Sequence, residues 1–145
     1  MAIKEKEAYD KLISCGLKPS VQRMVILNYL LTHRTHPTIE DVHRDLSKKL
    51  PTLSKTTVYN TLRLFAEHKA ALMVTIDERR VCYDGDTEPH AHFLCKECGK
   101  ILDFFDDETL SAMDKKEIDG NRIDEMNIYY KGICAECLKK KNAEQ

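Results

Sequence analysis

Six side chains able to bind a metal fall within the twenty residues from Asp84 to Asp103: Asp84, His90, His92, Cys95, Cys98 and Asp103. They are of two chemical kinds. Cys95-Lys96-Glu97-Cys98 is a C-x-x-C pair, and Cys134-Ala135-Glu136-Cys137 is a second. Each pair places two sulfurs on one turn, and two such turns close a tetrahedron around zinc with no open position. The 35 residues between Cys98 and Cys134 exceed the spacing of a short zinc ribbon, so the second pair must return across a small sheet. Neither pair is followed by histidine, which argues against c-type haem attachment. Thioredoxin-like dithiol chemistry is the main rival, but Gly99 and Leu138 do not open the βαβ unit it needs.

The imidazoles and carboxylates form a harder donor set, suited to iron(II), manganese(II) or zinc. At strand spacing His90 and His92 point to one face. Asp103 belongs to the next strand, and Asp84 lies just upstream. These four leave room for a further ligand. Four more histidines, His33, His36, His43 and His68, occur earlier in the chain. His36 is slightly favoured among them, because it sits in a turn before Pro37 rather than on a helix face. One closed site and one adjustable site in the same chain suggest a sensor.

Around these ligands the periodicities predict two sets of elements. A polar surface helix over 4–15 ends at Gly16. Ser20 caps a buried helix carrying Val21, Met24, Val25, Leu27, Leu30 and Leu31 inward and ending near 32–34. Thr38 caps a third helix through Lys49, with Ile39, Val42 and Leu46 inward, and Pro51 breaks it. Ser54 opens a fourth. In it Val58, Leu62 and Phe65 share one face, while Lys55, Tyr59 and Arg63 share another, with Thr57 and Asn60 beside them. Those five polar side chains are of the types that contact phosphates and base edges. Two strands, 71–76 and 81–83, form a hairpin around Asp77-Glu78-Arg79-Arg80. Helices followed by a hairpin is the order of a winged helix-turn-helix. The stretch from Asp84 to Pro89 is rich in turn residues and reads as a linker. Beyond it come strands 91–95 and 101–105, a helix over 107–117, a third strand over 122–130 and, over 135–142, a short helix or a frayed basic tail.

The charge is divided in the same way. Residues 1–83 hold 14 Lys/Arg against 9 Asp/Glu, and residues 84–145 hold 9 against 15. A basic first part beside an acidic second part fits a polyanion partner for the first. The charged start lacks the apolar run of a signal peptide, and no apolar segment approaches the ~20 residues that span a bilayer. A cytoplasmic protein with no membrane partner is the expectation, and in that reducing compartment the six cysteines are ligands or free thiols rather than disulfides. Cys15 and Cys82, outside both C-x-x-C pairs, read as small buried residues or idle thiols.

With these pieces in place the chain resembles the ferric uptake regulator superfamily over essentially its whole length. The resemblance rests on Val21-Gln22-Arg23, His36-Pro37-Thr38, Thr57-Val58-Tyr59-Asn60-Thr61-Leu62, His90-x-His92, Cys95-x-x-Cys98-Gly99-Lys100 and Cys134-x-x-Cys137. It implies an α+β chain of three parts: a winged-helix DNA-binding domain over 1–83, a linker over 84–89, and a small α/β dimerisation and metal-binding domain over 90–145. It further implies a homodimer that represses genes at palindromic operators. Cys95, Cys98, Cys134 and Cys137 would hold structural zinc, and His36, Asp84, His90, His92 and Asp103 would hold iron(II) or manganese(II).

Within the family the chain looks most similar to the peroxide-stress regulators. As in those, aspartates occupy the two carboxylate positions, Asp84 and Asp103, where iron-uptake members usually carry glutamate. Ala91 stands between the paired histidines, and no histidine follows His92. This implies that iron(II)-dependent oxidation of His36 or His90 by hydrogen peroxide releases the repressor. An iron-, manganese- or zinc-uptake regulator of the same family is the alternative. From other classes, a non-haem iron enzyme would use the same His/Asp set, but five glycines and a helical first half leave little scope for a β-rich substrate pocket. A zinc-stabilised interaction module would leave the charge asymmetry and the Tyr59/Arg63 face unused.

Overall fold

The computed structural model describes residues 5–143, and the chain divides into two compact units between Thr87 and Glu88. Lys4, where the first helix was expected to begin, and the outer ends of both expected domains lie outside the described residues.

In the first unit α1 (Glu5–Ser14) ends in a left-handed turn at Gly16, whose φ of +77° suits a residue without a side chain. The second helix, α2 (Val21–Thr32), is capped by the Ser20 hydroxyl, which accepts the Arg23 N–H. Its run from Ile26 to Leu31 is buried, but Val21, expected to face inward, is 74 % exposed. It occupies the first helical position, ahead of the turns that reach the core. A full capping box between Thr38 and Asp41 opens α3 (Ile39–Ser47). The Ser54 hydroxyl accepts the Thr57 N–H at the start of α4 (Lys55–Glu67). Val58, Leu62 and Phe65 of α4 are fully buried with Leu12, Ile26, Leu27, Leu30 and Val42, in one core shared by all four helices. Two short antiparallel strands, β1 (Leu72–Val74) and β2 (Cys82–Asp84), complete a winged helix-turn-helix. Asp84, expected in the linker, is the last residue of β2, and Gly85 after it is buried.

The second unit is built on a three-stranded sheet in the order β4-β3-β7. Here β3 (Ala91–Cys95) pairs antiparallel with β4 (Ile101–Phe104) and parallel with β7 (Tyr129–Gly132). Between β4 and β7 lie α5 (Asp107–Ala112) and a small hairpin of β5 (Glu117–Ile118) and β6 (Asn121–Arg122). The helix expected to reach 117 stops at Ala112. Asp119 and Gly120, at φ +51° and +82°, make the two-residue turn that favours a hairpin instead. The strand expected over 122–130 contributes only its last two residues to the sheet, the rest being the hairpin and its exit. A final helix, α6 (Ala135–Ala143), follows β7. Among the described residues no helix is long and apolar enough to cross a membrane.

Candidate metal centres

Parallel pairing of β3 with β7 places Cys95 level with Gly132, so both strands end side by side and each runs into a C-x-x-C turn. The 35-residue gap is closed in this way. Gly99, at φ +76°, closes the first turn with its N–H on the Cys95 carbonyl. At the second, the Cys134 carbonyl accepts the Leu138 N–H, so Cys134 and Cys137 bracket the first turn of α6. A helix N-terminus favours negative charge, which suits thiolates.

The four sulfurs lie within 4.8 Å of one another, with Cys95–Cys137 and Cys98–Cys134 each at 3.8 Å. A tetrahedron with Zn–S bonds of ~2.3 Å has edges of ~3.8 Å, whereas a disulfide needs ~2.0 Å. Zinc fits these donors in number, chemistry and spacing. The Cys95 sulfur accepts the N–H groups of Cys98 (3.5 Å) and Cys134 (3.3 Å), which hold its pKa at about 6. Cys137, hydrogen-bonded first to Cys134 within the crowd of thiols, is pushed up to about 12. Sulfurs this close share their protons unevenly, and a divalent cation replaces those protons. Lys100 pairs with Glu136 at 3.2 Å and Lys141 with Glu97 at 2.8 Å, so each cysteine turn carries one ion pair to the other.

The second donor group of this unit is at the far end of β3. His92 is directly across from Asp103 on β4. The Nε2 atoms of His90 and His92 are 3.1 Å apart, and Asp103 Oδ1 is 3.5 Å from each. His90 Nδ1 lies 2.6 Å from the Glu88 carbonyl, which can only accept, so Nδ1 carries a ring proton and Nε2 is the nitrogen left to coordinate a metal. Phe105 stacks on the same ring at 4.9 Å and fixes its plane. Two imidazole nitrogens and a carboxylate converging at one place are donors for iron(II), manganese(II) or zinc. Glu88 and Phe105 were not legible as contributors: the first acts through its backbone, and the second reads as an ordinary strand residue.

In the first unit His36 and Asp84 are brought together, Nε2 to Oδ2 at 3.4 Å. The other three early histidines are engaged elsewhere. His33 stacks on Tyr29 at 4.0 Å, His43 donates to the Leu53 carbonyl at 2.9 Å, and His68 bonds the Cys15 carbonyl at 3.2 Å. On α4, Lys55, Tyr59, Asn60 and Arg63 are exposed and Thr57 is half-buried. Arg63 gives its Nε–H to Glu67 at 3.2 Å. Cys82 is wholly buried, and burial raises its thiol pKa; Cys15 is half-buried at the edge of the core.

The fold has known counterparts. The structure of the ferric uptake regulator from Pseudomonas aeruginosa with manganese is similar at a TM-score of 0.72 and 24 % identity, covering 88 % of this chain and 98 % of that one. The peroxide operon regulator of Bacillus subtilis is 35 % identical over 142 residues, 94 % of this chain and 95 % of its own. The peroxide-responsive repressor PerR of Staphylococcus epidermidis is 32 % identical over 141 residues, 94 % of this chain and 92 % of its own. A family profile matches residues 14–131, and with it the chain belongs to the ferric uptake regulator family.

Proposed function

We propose that the chain is a metal-dependent transcriptional repressor that senses hydrogen peroxide, working in the cytoplasm as a homodimer on palindromic operator DNA. It regulates rather than turns over a substrate. The observation that carries this reading is the convergence of His90, His92 and Asp103 at one end of a strand whose other end carries the four-cysteine set. Support for peroxide as the signal comes from the two relatives, a peroxide operon regulator and a peroxide-responsive repressor.

In this reading Cys95, Cys98, Cys134 and Cys137 hold zinc and fold the second unit. His36 and Asp84, from the first unit, join His90, His92 and Asp103 as ligands of iron(II) or manganese(II). Ligands drawn from both units couple metal binding to their arrangement, and a coupling of ~1–3 kcal/mol changes DNA affinity ~5–150-fold. The exposed face of α4 enters the major groove. Lys55, Thr57 and Arg63 contact phosphates or base edges there, and Tyr59 and Asn60 reach the bases. Held at the five-ligand site, iron(II) would activate hydrogen peroxide beside an imidazole by lending it one electron and taking one back from the ring, so that the ring is the net reductant, whereas manganese(II) would supply only charge. His36 or His90 then accepts one oxygen atom on its ring, the other oxygen of the peroxide leaving as water. The oxidised ring is a poorer donor, so the two units uncouple.

The test is operator binding by the zinc-loaded dimer with iron(II) or manganese(II), before and after micromolar peroxide. Release of the iron form alone, with one oxygen added at His36 or His90 by mass spectrometry, is the expected result. If both forms keep the DNA through peroxide and release it only when the metal is removed, the protein is a metal-uptake regulator.

A further inference from the structure

Two segments of the first unit run beside each other, the turn 33–37 and the end of β2 with its continuation, 82–86. They are joined at several independent points. The Tyr83 N–H donates to the Pro37 carbonyl at 2.9 Å, and Arg34 pairs with Asp86 at 3.0 Å. Asp84 accepts the Asp86 N–H at 2.9 Å, which folds the chain back over its own carboxylate. From α1, the Lys11 ammonium donates to the Gly85 carbonyl at 3.0 Å. Burial of that amine lowers its pKa, with the nearby Cys15, Asp86 and Glu7 acting in the opposite direction. Gly85 itself lies against α2, where an added Cβ would be 2.8 Å from the Leu30 carbonyl oxygen.

The turn needs such support. His36 has φ +57°, a conformation uncommon for any residue but glycine, and it precedes proline, which restricts its backbone further. Backbone of this kind persists only where its surroundings over-determine it. Without the cross-links, the His36 ring and the Asp84 carboxylate would each have to be ordered when the metal binds.

We propose that Lys11, Arg34, Gly85 and Asp86 form a clamp that presets the His36–Asp84 pair within the DNA-binding unit before any metal arrives. They are positioning residues, since none of them supplies a ligand. The clamp rests on the reading of His36 and Asp84 as ligands, and it assigns the metal affinity of that pair partly to a helix, α1, that carries no ligand at all. A preset pair loses little freedom on coordination, so breaking the clamp lowers metal affinity while leaving the fully loaded protein competent.

The experiment uses the full-length, zinc-loaded dimer and manganese(II) as probe. Lys11→Met keeps the aliphatic stem and removes the donor, Arg34→Gln removes the ion pair, and His36→Ala is the control. Manganese affinity is expected to fall ~10-fold in each clamp variant, the lower end for partners that orient ligands. Operator affinity at saturating manganese should stay within about twofold of the parent, as a general folding defect would not allow. Amide exchange at Tyr83 and Asp86 in manganese-free protein reads the clamp directly: protection in the parent and faster exchange in Lys11→Met support it. The clamp is overturned if those amides are unprotected in the manganese-free parent. It is also overturned if His36→Ala weakens manganese binding while both clamp variants bind like the parent, which leaves the ligand assignment standing. Unchanged manganese affinity in His36→Ala removes the ligand assignment and the clamp together.

Discussion

Tyr29 donates its hydroxyl proton to Asp45 at 2.5 Å and ties α2 to α3 inside the first unit. Burial, and then the bond to the carboxylate, raise the Tyr29 pKa above its ordinary value of 10.0. The unfolded chain therefore loses this proton first. The stabilisation is fully present below pH ~10 and is lost as pH rises through the higher folded value. Tyr29→Phe is expected to cost ~1 kcal/mol in denaturant unfolding at neutral pH, with the gap to the parent closing above pH ~10. A gap that stays constant from pH 7 into that range would remove the hydroxyl as its source. At this scale the chain's residue types and spacing announce the four cysteines, the paired histidines and both aspartates. They do not select His36 from four early histidines. That choice depends on where a turn comes to rest, and only the folded chain shows His33, His43 and His68 committed to Tyr29, Leu53 and Cys15. Glu88 left no trace in the sequence at all, because every residue type owns the carbonyl it uses.

Helices were legible because their signals are local. Ser20, Thr38 and Ser54 cap three of them, and the buried stripe of α4 follows directly from the spacing of Val58, Leu62 and Phe65. The other face of α4 makes the clearest prediction for an element. Tyr59→Ala and Arg63→Ala are each expected to weaken operator binding by ~1–3 kcal/mol, measured at fixed salt, with metal affinity unchanged. Both are exposed, and Arg63 is shared with Glu67, so Glu67→Gln should leave or slightly raise affinity by freeing the guanidinium. If both alanine variants bind as the parent does, α4 is not the reading element. The strands of the second unit were less legible. Alternation of Ile123, Met126, Ile128 and Tyr130 pointed to one long strand, whereas Tyr129 begins the pairing and Arg122 belongs to a separate hairpin. Parallel pairing with β3 is non-local: it joins residues dozens of positions apart, which no window of sequence contains.

The two units differ in what holds them together. Among the described residues the continuous apolar core runs from Ala8 to Tyr83, all in the first unit. In the second, the buried apolar residues are Ala91, Cys95 and Cys134, while Phe104, Phe105, Ile118, Tyr130 and Leu138 are substantially exposed. A segment of this size with so little buried apolar surface needs another source of stability. We assign that role to the four sulfurs: two of the three buried apolar residues are themselves cysteines of the set, and zinc bound by such a set would contribute on the order of 10 kcal/mol to folding. Withdrawing the zinc with a strong chelator, or replacing Cys98 by Ser, should therefore unfold the second unit and leave the first folded. Residue-resolved amide exchange would then show protection lost from β3, β4 and β7 and retained in α2 and α4. On the proposal that the exposed aromatic and aliphatic side chains of the second unit are what a partner copy covers, the dimer should dissociate in the same step, read by sedimentation. Operator binding would fail as well, although α4 is intact, since one winged helix alone meets only half of a palindrome. The opposite outcome is equally specific. If β3, β4 and β7 keep their protection without zinc, the thiolate cluster is an accessory to a sheet that folds unaided, and the second unit owes its stability to its partner copy instead.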